Sequence, residues 1–560
     1  MIRKLLDMVN RRFQGMHEAA ILLGVFSLVS QLIGLFRDRM LAHMIGPGPT
    51  LDVYYAAFQI PNFIFISIAS LASITVLMPF LVARMDGDGQ ESARTFFSDV
   101  LSGFFLLLVA VSIGVFFLMP WLARIIAPGF STDQLHELVA VSRIMLLSPI
   151  FMGLSNMLGT VTQLLRKFFV FSLSPIFYNV GIILGIVFLY PRYGVAGLAI
   201  GVVFGALLHL LIQVPTLWSA GFAPSITRRL DRSTIRQVVA LSLPRTLGIS
   251  MNSLALLAVV AIGSTLSSGS ISIFNFALNL ETTPVGIIGI SYAVASFPIL
   301  SEAFARGEKE KWQSCILSAT RQIIFWSLPL TALLIVLRAQ IVRVTLGTGA
   351  FSWADTKLTA ACFALFTIGL IAQNMVLVST RAFYAAHNTK TPLYINAICS
   401  IGIIGLAFFL KYEFLNTPLF RYFIESLLRV GDVPGTSVLM LPLAYSLGTL
   451  VNALLHWVDL RKRYLDTTGT LPRATFEAIG ASFVTGAVAY GSLNILSNVF
   501  SMHTFWGVLM QGGLACLAGT IAGIIVLALL KSESLFEIWS AFRKKFWRVD
   551  LVTSEELSTK

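Results

Sequence analysis

Charge is scarce in this chain: Asp, Glu, Lys and Arg make up 12% of 560 residues, against 56% hydrophobic. So few charges cannot clothe an ordinary soluble surface, since soluble domains carry about a quarter charged residues. The mean hydropathy of +0.82 points the same way. Cysteine is scarcer still. Cys315, Cys362, Cys399 and Cys516 fall in or beside apolar runs without CxxC spacing, which argues against a disulfide framework or thiolate metal site and leaves small hydrophobes. The seven histidines are dispersed and form no HExxH pair, so metal chemistry has no ligand set to start from. No GxxxxGK[ST] loop and no polar insertion of domain size is present. ATP hydrolysis within the chain is thereby set aside, and any transport draws on an ion, voltage or substrate gradient. No paired acid and base stand within the apolar runs, which sets an enzyme aside.

What the chain has in abundance is long apolar runs. A bilayer-spanning helix takes roughly 20 apolar residues, and about fourteen such runs are present, read here as spans 1 to 14 in chain order. Their centres lie near Ser30, Ile66, Leu108, Ser148, Val180, Phe204, Leu254, Ile288, Leu330, Leu370, Ile401, Leu447, Val484 and Leu517. The fold class expected is therefore an all-α polytopic membrane protein. Span 1 follows a basic leader (Arg3, Lys4, Arg11, Arg12) with no small-residue cleavage site after it, so no removable signal peptide is expected. Lys and Arg favour short cytoplasmic loops. With the N-terminus inside, Arg84, Arg166, Lys167, Arg228, Arg229, Lys309, Lys311, Lys462 and Arg463 all fall on that side, which places both termini in the cytoplasm. The net charge of +13 then follows from topology, with no nucleic-acid partner; the phospholipid bilayer is the surface this chain meets.

An internal repeat orders the spans. "PFLVARMDGDG" from Pro79 is echoed by "PILSEAFARGE" from Pro298, and Pro175 with Asn179 in "SPIFYN" is echoed by Pro392 with Asn396 in "TPLYIN", at nearly the same offset. Two pseudo-symmetric six-helix lobes follow: 1–219 with spans 1–6, then a cytoplasmic loop 220–234, then 235–463 with spans 7–12. Accessory spans 13 and 14 occupy 464–531. The tail 532–560 places Leu535, Ile538, Trp539, Phe542 and Phe546 on one helical face, with Arg543, Lys544, Lys545 and Arg548 around it. It is expected to lie on the anionic inner leaflet.

Charged residues inside the spans are the candidate functional groups, because hydrocarbon exposure is costly for them. Gly24, Ser27, Gln31, Gly34 and Asp38 recur at three- and four-residue intervals and form one stripe of span 1. Arg37 adjoins that stripe. It either faces a wet cavity, where its planar fork suits phosphate oxygens, or snorkels with Arg39 to the headgroups while Asp38 or Asp52 neutralises one of them. Asp52 opens span 2 and suits a helix N-cap. Pro61 and Asn62 follow, where proline permits a bend. Arg143 and Arg245 lie well inside spans 4 and 7, each read as either a cargo contact or a hydrogen-bonding group between helices, bonding carbonyls or Glu281.

The segment "GLFRDRMLAHMIGPGPTLDVYYAAFQIPN", the stretch "TRAFYAAHNTKTP", the Pro298 element and the 6+6+2 count together resemble the MurJ/MviN lipid II flippase family of the multidrug/oligosaccharidyl-lipid/polysaccharide exporter superfamily. The resemblance covers most of the chain, is strongest in spans 1–2, 8 and 10–11, and is weakest in the last two spans. It implies a V-shaped pair of lobes around a central cavity open alternately to each side of the bacterial cytoplasmic membrane. The implied cargo is the undecaprenyl-diphosphate-linked peptidoglycan precursor, with spans 13 and 14 forming a groove for its polyprenyl tail. A transporter of this kind needs no cofactor, and cell-wall synthesis proteins are its candidate partners; the sequence names no coupling ion.

By that resemblance Arg37 stands at the family's cavity arginine, Asp52 at an acidic position where it would pair with Arg37 and gate the cavity, and Arg381 at a common arginine with a structural role. The chain departs from the pattern at three places. Gln31 replaces an arginine after Ser30, Phe63–Phe65 replaces one after the Pro-Asn pair, and Asn279, aligned on Pro284 with Glu281 close by, replaces one in span 8. Gln31 and Asn279 still hydrogen-bond phosphate or sugar but add no charge. Arg245 and Arg143 are the remaining cations able to compensate. Two rival readings stay open: a flippase for another polyprenyl-linked glycan, and a non-transporting membrane scaffold.

Overall fold

The computed structural model describes residues 16–69, 71, 74–222, 232–466, 469, 471–502 and 504–546. The leader arginines, Arg228, Arg229 and Arg548 lie outside the described residues. Among the described residues every regular element is helical, as a chain surrounded by hydrocarbon requires when each backbone group must be satisfied within its own segment. Among the described residues twelve helices are long and apolar enough to cross a membrane; span 10, two helices (Trp353–Ile368 and Leu370–Ala385) bent by 42°, makes thirteen. Span 1 is the 29-residue helix Met16–Met44. Each centre read from the sequence falls inside one of these helices.

Local chemistry explains the irregularities. The bend in span 10 sits at Gly369, where the Ser446 hydroxyl donates to the Leu365 carbonyl, the acceptor that Gly369 N–H would take in a continuous helix; that N–H turns to Phe366 instead. Span 2 is helical over Pro49–Ile64 and then winds wide over Phe65–Ala69, four residues beyond Pro61. Span 8 repeats the pattern, with Ser270–Val285 containing Pro284 and a wide turn at Gly286–Ile290. A proline lacks the N–H that would close its own turn, and a π-type turn absorbs the resulting mismatch.

The chain divides into two compact units. The first comprises Met1–Thr283, Val342–Gly369 and His387–Leu455, the second Pro284–Ile341, Leu370–Ala386 and His456–Lys560. Within the first unit the repeat is visible in side-chain contacts. Span 1 runs along span 5 (Phe168–Tyr193) as span 7 (Arg232–Ser264) runs along span 11 (Lys390–Asn416). A Cβ on Gly34 would stand 3.8 Å from Asn179 Oδ1, and Asn396, the repeat partner of Asn179, reaches the Gly248 carbonyl at 3.5 Å.

In the second unit, spans 13 and 14 (Leu471–Leu496 and Phe505–Leu529) pack closely because Gly519 and Gly523 face Thr485 and Ala489 without side chains of their own. The tail helix Glu533–Phe546 is held to the protein along part of its apolar face. Leu535 and Ile538 pack on Phe325, Ala481 and Leu527 of the protein itself, while Arg321 donates to Glu533 at 3.2 Å and to Glu537 at 2.5 Å. Two carboxylates on the tail and a guanidinium on span 9 draw this face inward, leaving Trp539 59% exposed. The side chains of Phe542, Arg543, Lys544, Lys545 and Phe546 lie outside the described residues.

Candidate functional site

A cavity of about 270 Å³ opens within the first unit. Span 2 lines it with Tyr55, Gln59 and Asn62, spaced four and three residues apart on one helix face, together with Tyr54 and Phe58. Span 8 adds Asn275 and Asn279, one turn apart; span 1 adds Arg37, Asp38 and Leu41, and span 5 adds Tyr178.

The polar centre is a network of four side chains. Arg37 donates from Nε and Nη2 to Asp38 Oδ1 at 2.9 and 2.8 Å, and from Nη1 to Asn179 Oδ1 at 3.0 Å. Asn179 is aimed by its own Nδ2, which donates to the Pro175 carbonyl at 3.1 Å. Asp38 Oδ2 accepts from Asn279 Nδ2 at 3.1 Å. A guanidinium carries five N–H donors, so two of those on Arg37 have no partner among the described residues. The Tyr55 hydroxyl is likewise buried with no partner there. The cavity therefore offers one cation balanced by one adjacent anion, ringed by amides and phenols.

Asp52 corrects the sequence reading on both counts. It is neither the cap of its own helix, whose N-cap is Gly48, nor the partner of Arg37. Its carboxylate accepts from Gly269 N–H at 2.6 Å, from Ser272 N–H at 2.8 Å and from the Ser272 hydroxyl at 2.6 Å. An anion of span 2 thus caps the N-terminus of the equivalent span 8, satisfying donors that a helix start leaves unpaired and meeting the positive end of its dipole. One turn into span 2, the side chain is past its own orphan donors. Gly269 makes the approach feasible, with φ at +87° and a Cβ that would stand 3.3 Å from Pro47.

Arg39 also departs from its expected place among the headgroups. Its Nη1 donates to the Val344 carbonyl at 2.5 Å and to that of Thr345 at 3.3 Å, at the C-terminus of the helix Arg338–Thr345, where a cation is favoured. Beside it the His43 carbonyl accepts from Ala350 N–H at 2.9 Å. These bonds tie the end of span 1 and the start of span 2 to the segments that follow spans 7 and 9, at the end of the first unit that holds Gly48.

The structure gathers Arg37, Asp38, Asn62 and Asn279 at the cavity and leaves the other candidates elsewhere. Gln31 is not among the lining residues, and its Oε1 is buried with no hydrogen-bond partner among the described residues. Arg245 is half-buried on span 7, outside the lining. Arg143 donates to the Phe116 carbonyl at 3.0 Å with its guanidinium 4.5 Å over the same ring. Pro61 and Glu281 are buried in spans 2 and 8, and Arg381, in the second unit, stands 5.4 Å over the Phe297 ring. Sequence reasoning missed Tyr54, Tyr55, Gln59, Tyr178 and Asn275 as lining residues and Asn179 as the ligand of Arg37. The interval from Tyr55 through Gln59 to Asn62 was the signal available.

Repeated helical bundles with a polar cavity inside membrane-spanning segments define a multi-span transporter. The fold is similar to a solved structure described as lipid II flippase MurJ in an inward closed conformation, with a TM-score of 0.70 at 20% identity over 94% of this chain and 100% of that one. It is also similar to an inward-facing multidrug resistance MATE transporter of the MOP superfamily, with a TM-score of 0.62 at 14% identity, covering 81% and 99%. The family model described as lipid II flippase MurJ matches residues 41–510, and the chain belongs to that family. Among its relatives, the lipid II flippase MurJ of Burkholderia cenocepacia is 26% identical over 472 residues, covering 82% of this chain and 86% of that protein. The probable lipid II flippase MurJ of Buchnera aphidicola is 27% identical over 375 residues, covering 66% and 73%.

Proposed function

We propose that this protein carries lipid II, the undecaprenyl-diphosphate-linked peptidoglycan precursor, from the inner to the outer leaflet of the bacterial cytoplasmic membrane by alternating access of two six-span lobes. Arg37 carries the reading: a half-buried guanidinium with two spare N–H donors faces a cavity in a membrane-spanning unit. A diphosphate entering that cavity needs a cationic partner, because an isolated charge there carries a desolvation penalty of several kcal/mol. It takes the spare donors of Arg37 first, then competes with Asp38 for the rest. Asn279, released from Asp38, joins Gln59, Asn62 and Asn275 in hydrogen-bonding the neutral sugar and peptide groups. The bonds of Asp52, Arg39 and His43 form the gate on the Gly48 side. Structural neighbours described as inward-facing and outward-facing MATE transporters support alternation on this fold.

The test is complementation of a strain depleted of its lipid II flippase. Restored growth and restored outward appearance of the precursor support the assignment, and failure by a well-expressed protein overturns it. One observation favours a second reading, a flippase for a different polyprenyl-linked glycan: among the described residues Arg37 is the one arginine that lines the cavity. Failure with the peptidoglycan precursor together with rescue of a strain lacking a capsule or O-antigen flippase selects that alternative.

Topology is checked separately. A cysteine at Gly48, where a Cβ meets nothing within 4 Å, is expected to react in intact cells with an impermeant thiol reagent, and one at Lys462 to stay shielded. The opposite pattern inverts the orientation.

A further inference from the structure

Between spans 11 and 12 the chain makes an eleven-residue helix, Pro418–Leu428. Only Ile424 of this helix is buried, while Leu419, Tyr422, Phe423 and Leu427 are 78%, 70%, 59% and 62% exposed. Their spacing places all four on one side of the helix. The helix is firmly seated on its other side. Phe420 packs edge-on to Phe414 with ring centroids 6.4 Å apart, Glu425 accepts from the Thr436 hydroxyl at 2.6 Å, and Arg429 ends the helix in the left-handed conformation at φ 60°. A fixed helix that turns four large apolar side chains outward has a surface built to be covered.

What covers it follows from the segment leading into it. Span 11 ends at Asn416, two residues before Pro418, and its Phe408, Phe409, Tyr412 and Leu415 are also exposed. On a membrane-spanning helix such a face meets lipid, and the apolar surface runs on across Thr417 into the short helix. We propose that Pro418–Leu428 lies in the interfacial zone of the bilayer, with Leu419, Phe423 and Leu427 immersed, Tyr422 at the headgroup level and the exposed Arg421 toward lipid phosphates.

This helix anchors more than itself. Asp432, just beyond it, is bound by Lys357 at 2.5 Å, and Gly435 follows, where a Cβ would stand 3.5 Å from Ser267, in the turn leading to the span 8 N-terminus that Asp52 caps. The membrane surface thus steadies the connection flanking the gate.

The test uses the full chain with its four native cysteines replaced by alanine and a single cysteine at Phe423 carrying a polarity-sensitive fluorophore. It is reconstituted in phosphatidylcholine/phosphatidylglycerol vesicles whose lipids bear a quencher near the headgroup or near the chain end. The label is expected to emit to the blue and to be quenched about twofold more by the shallow quencher than by the deep one, with a label at Arg421 quenched less. A second site at Leu419 guards against a fold defect peculiar to Phe423. Labels at both 423 and 419 that are quenched by aqueous iodide and not by lipid overturn the proposal. Labels shielded from lipid and iodide alike also overturn it, and point to a second copy of the chain or another protein as the occupant.

Discussion

An Arg37→Ala protein is expected to reach the membrane folded and to move cargo at least about tenfold more slowly than the parent, because hydrogen bonds to a charged group contribute about 1.5–3 kcal/mol each and the cargo loses two or more of them. Arg37→Lys should recover part of the rate, since an ammonium restores the charge without the planar fork that grips two phosphate oxygens. The alanine change also strands Asp38, which keeps Asn279 as a hydrogen-bond donor, so lost activity alone is ambiguous. The double variant Arg37→Ala/Asp38→Asn separates the causes by removing the stranded charge. A double variant that melts like the parent and still fails to translocate assigns Arg37 to the cargo. Recovery of translocation in the double variant, or full activity in the single one, reduces Arg37 to a structural partner of Asp38.

The second large effect is expected at the gate. Asp52→Ala removes the acceptor for two backbone N–H groups and one hydroxyl at the span 8 N-terminus, a loss of about 2–4 kcal/mol for buried donors left unpaired. A cysteine at Asn275, inside the cavity, should then react faster with an impermeant reagent applied from the Gly48 side, and the transport cycle should stall for want of a sealed state. Asp52→Asn should fall between, because an amide offers one acceptor oxygen and turns an N–H toward other N–H groups. Equal labelling in parent and Asp52→Ala would remove Asp52 from the gate.

The spans were legible in the sequence because the bilayer imposes one length on every helix that crosses it. The relation of span 1 to span 5 and of span 7 to span 11 was foreshadowed by Asn179 and Asn396 at matching points of a repeat. Arg37 was legible for an energetic reason: a guanidinium at the end of an apolar run needs a partner or water. Its partner was not, since choosing between Asp38 and Asp52 depends on where the start of span 8 falls, and that start is more than two hundred residues along the chain. The acceptors of Arg39, Val344 and Thr345, were hidden for the same reason, lying still farther along the chain. Tyr55 and Gln59 escaped notice because tyrosine counts as apolar in a composition sum, so the wet helix face they share with Asn62 passed for part of a lipid-soluble run. The apolar face of the tail was legible from its periodicity, while nothing local announces that Arg321 will hold its glutamates.

The trans cap at Asp52 has a consequence for how much work each cycle demands. If the two helix starts part as the proposed cycle requires, the carboxylate and the N–H groups do not become orphans; both are free to exchange each other for water. The separation therefore costs a net of about 2–4 kcal/mol, which biases closed over open by roughly 30-fold to 1,000-fold. A bias of that size is firm enough to hold a seal between turnovers and small enough for one cargo molecule, binding the open form more tightly, to reverse it. A seal made of interlocked Leu and Phe side chains would expose apolar area at every opening and deepen with each residue added. Hydrated groups on both faces make this joint a reversible switch, with its set-point adjustable one hydrogen bond at a time.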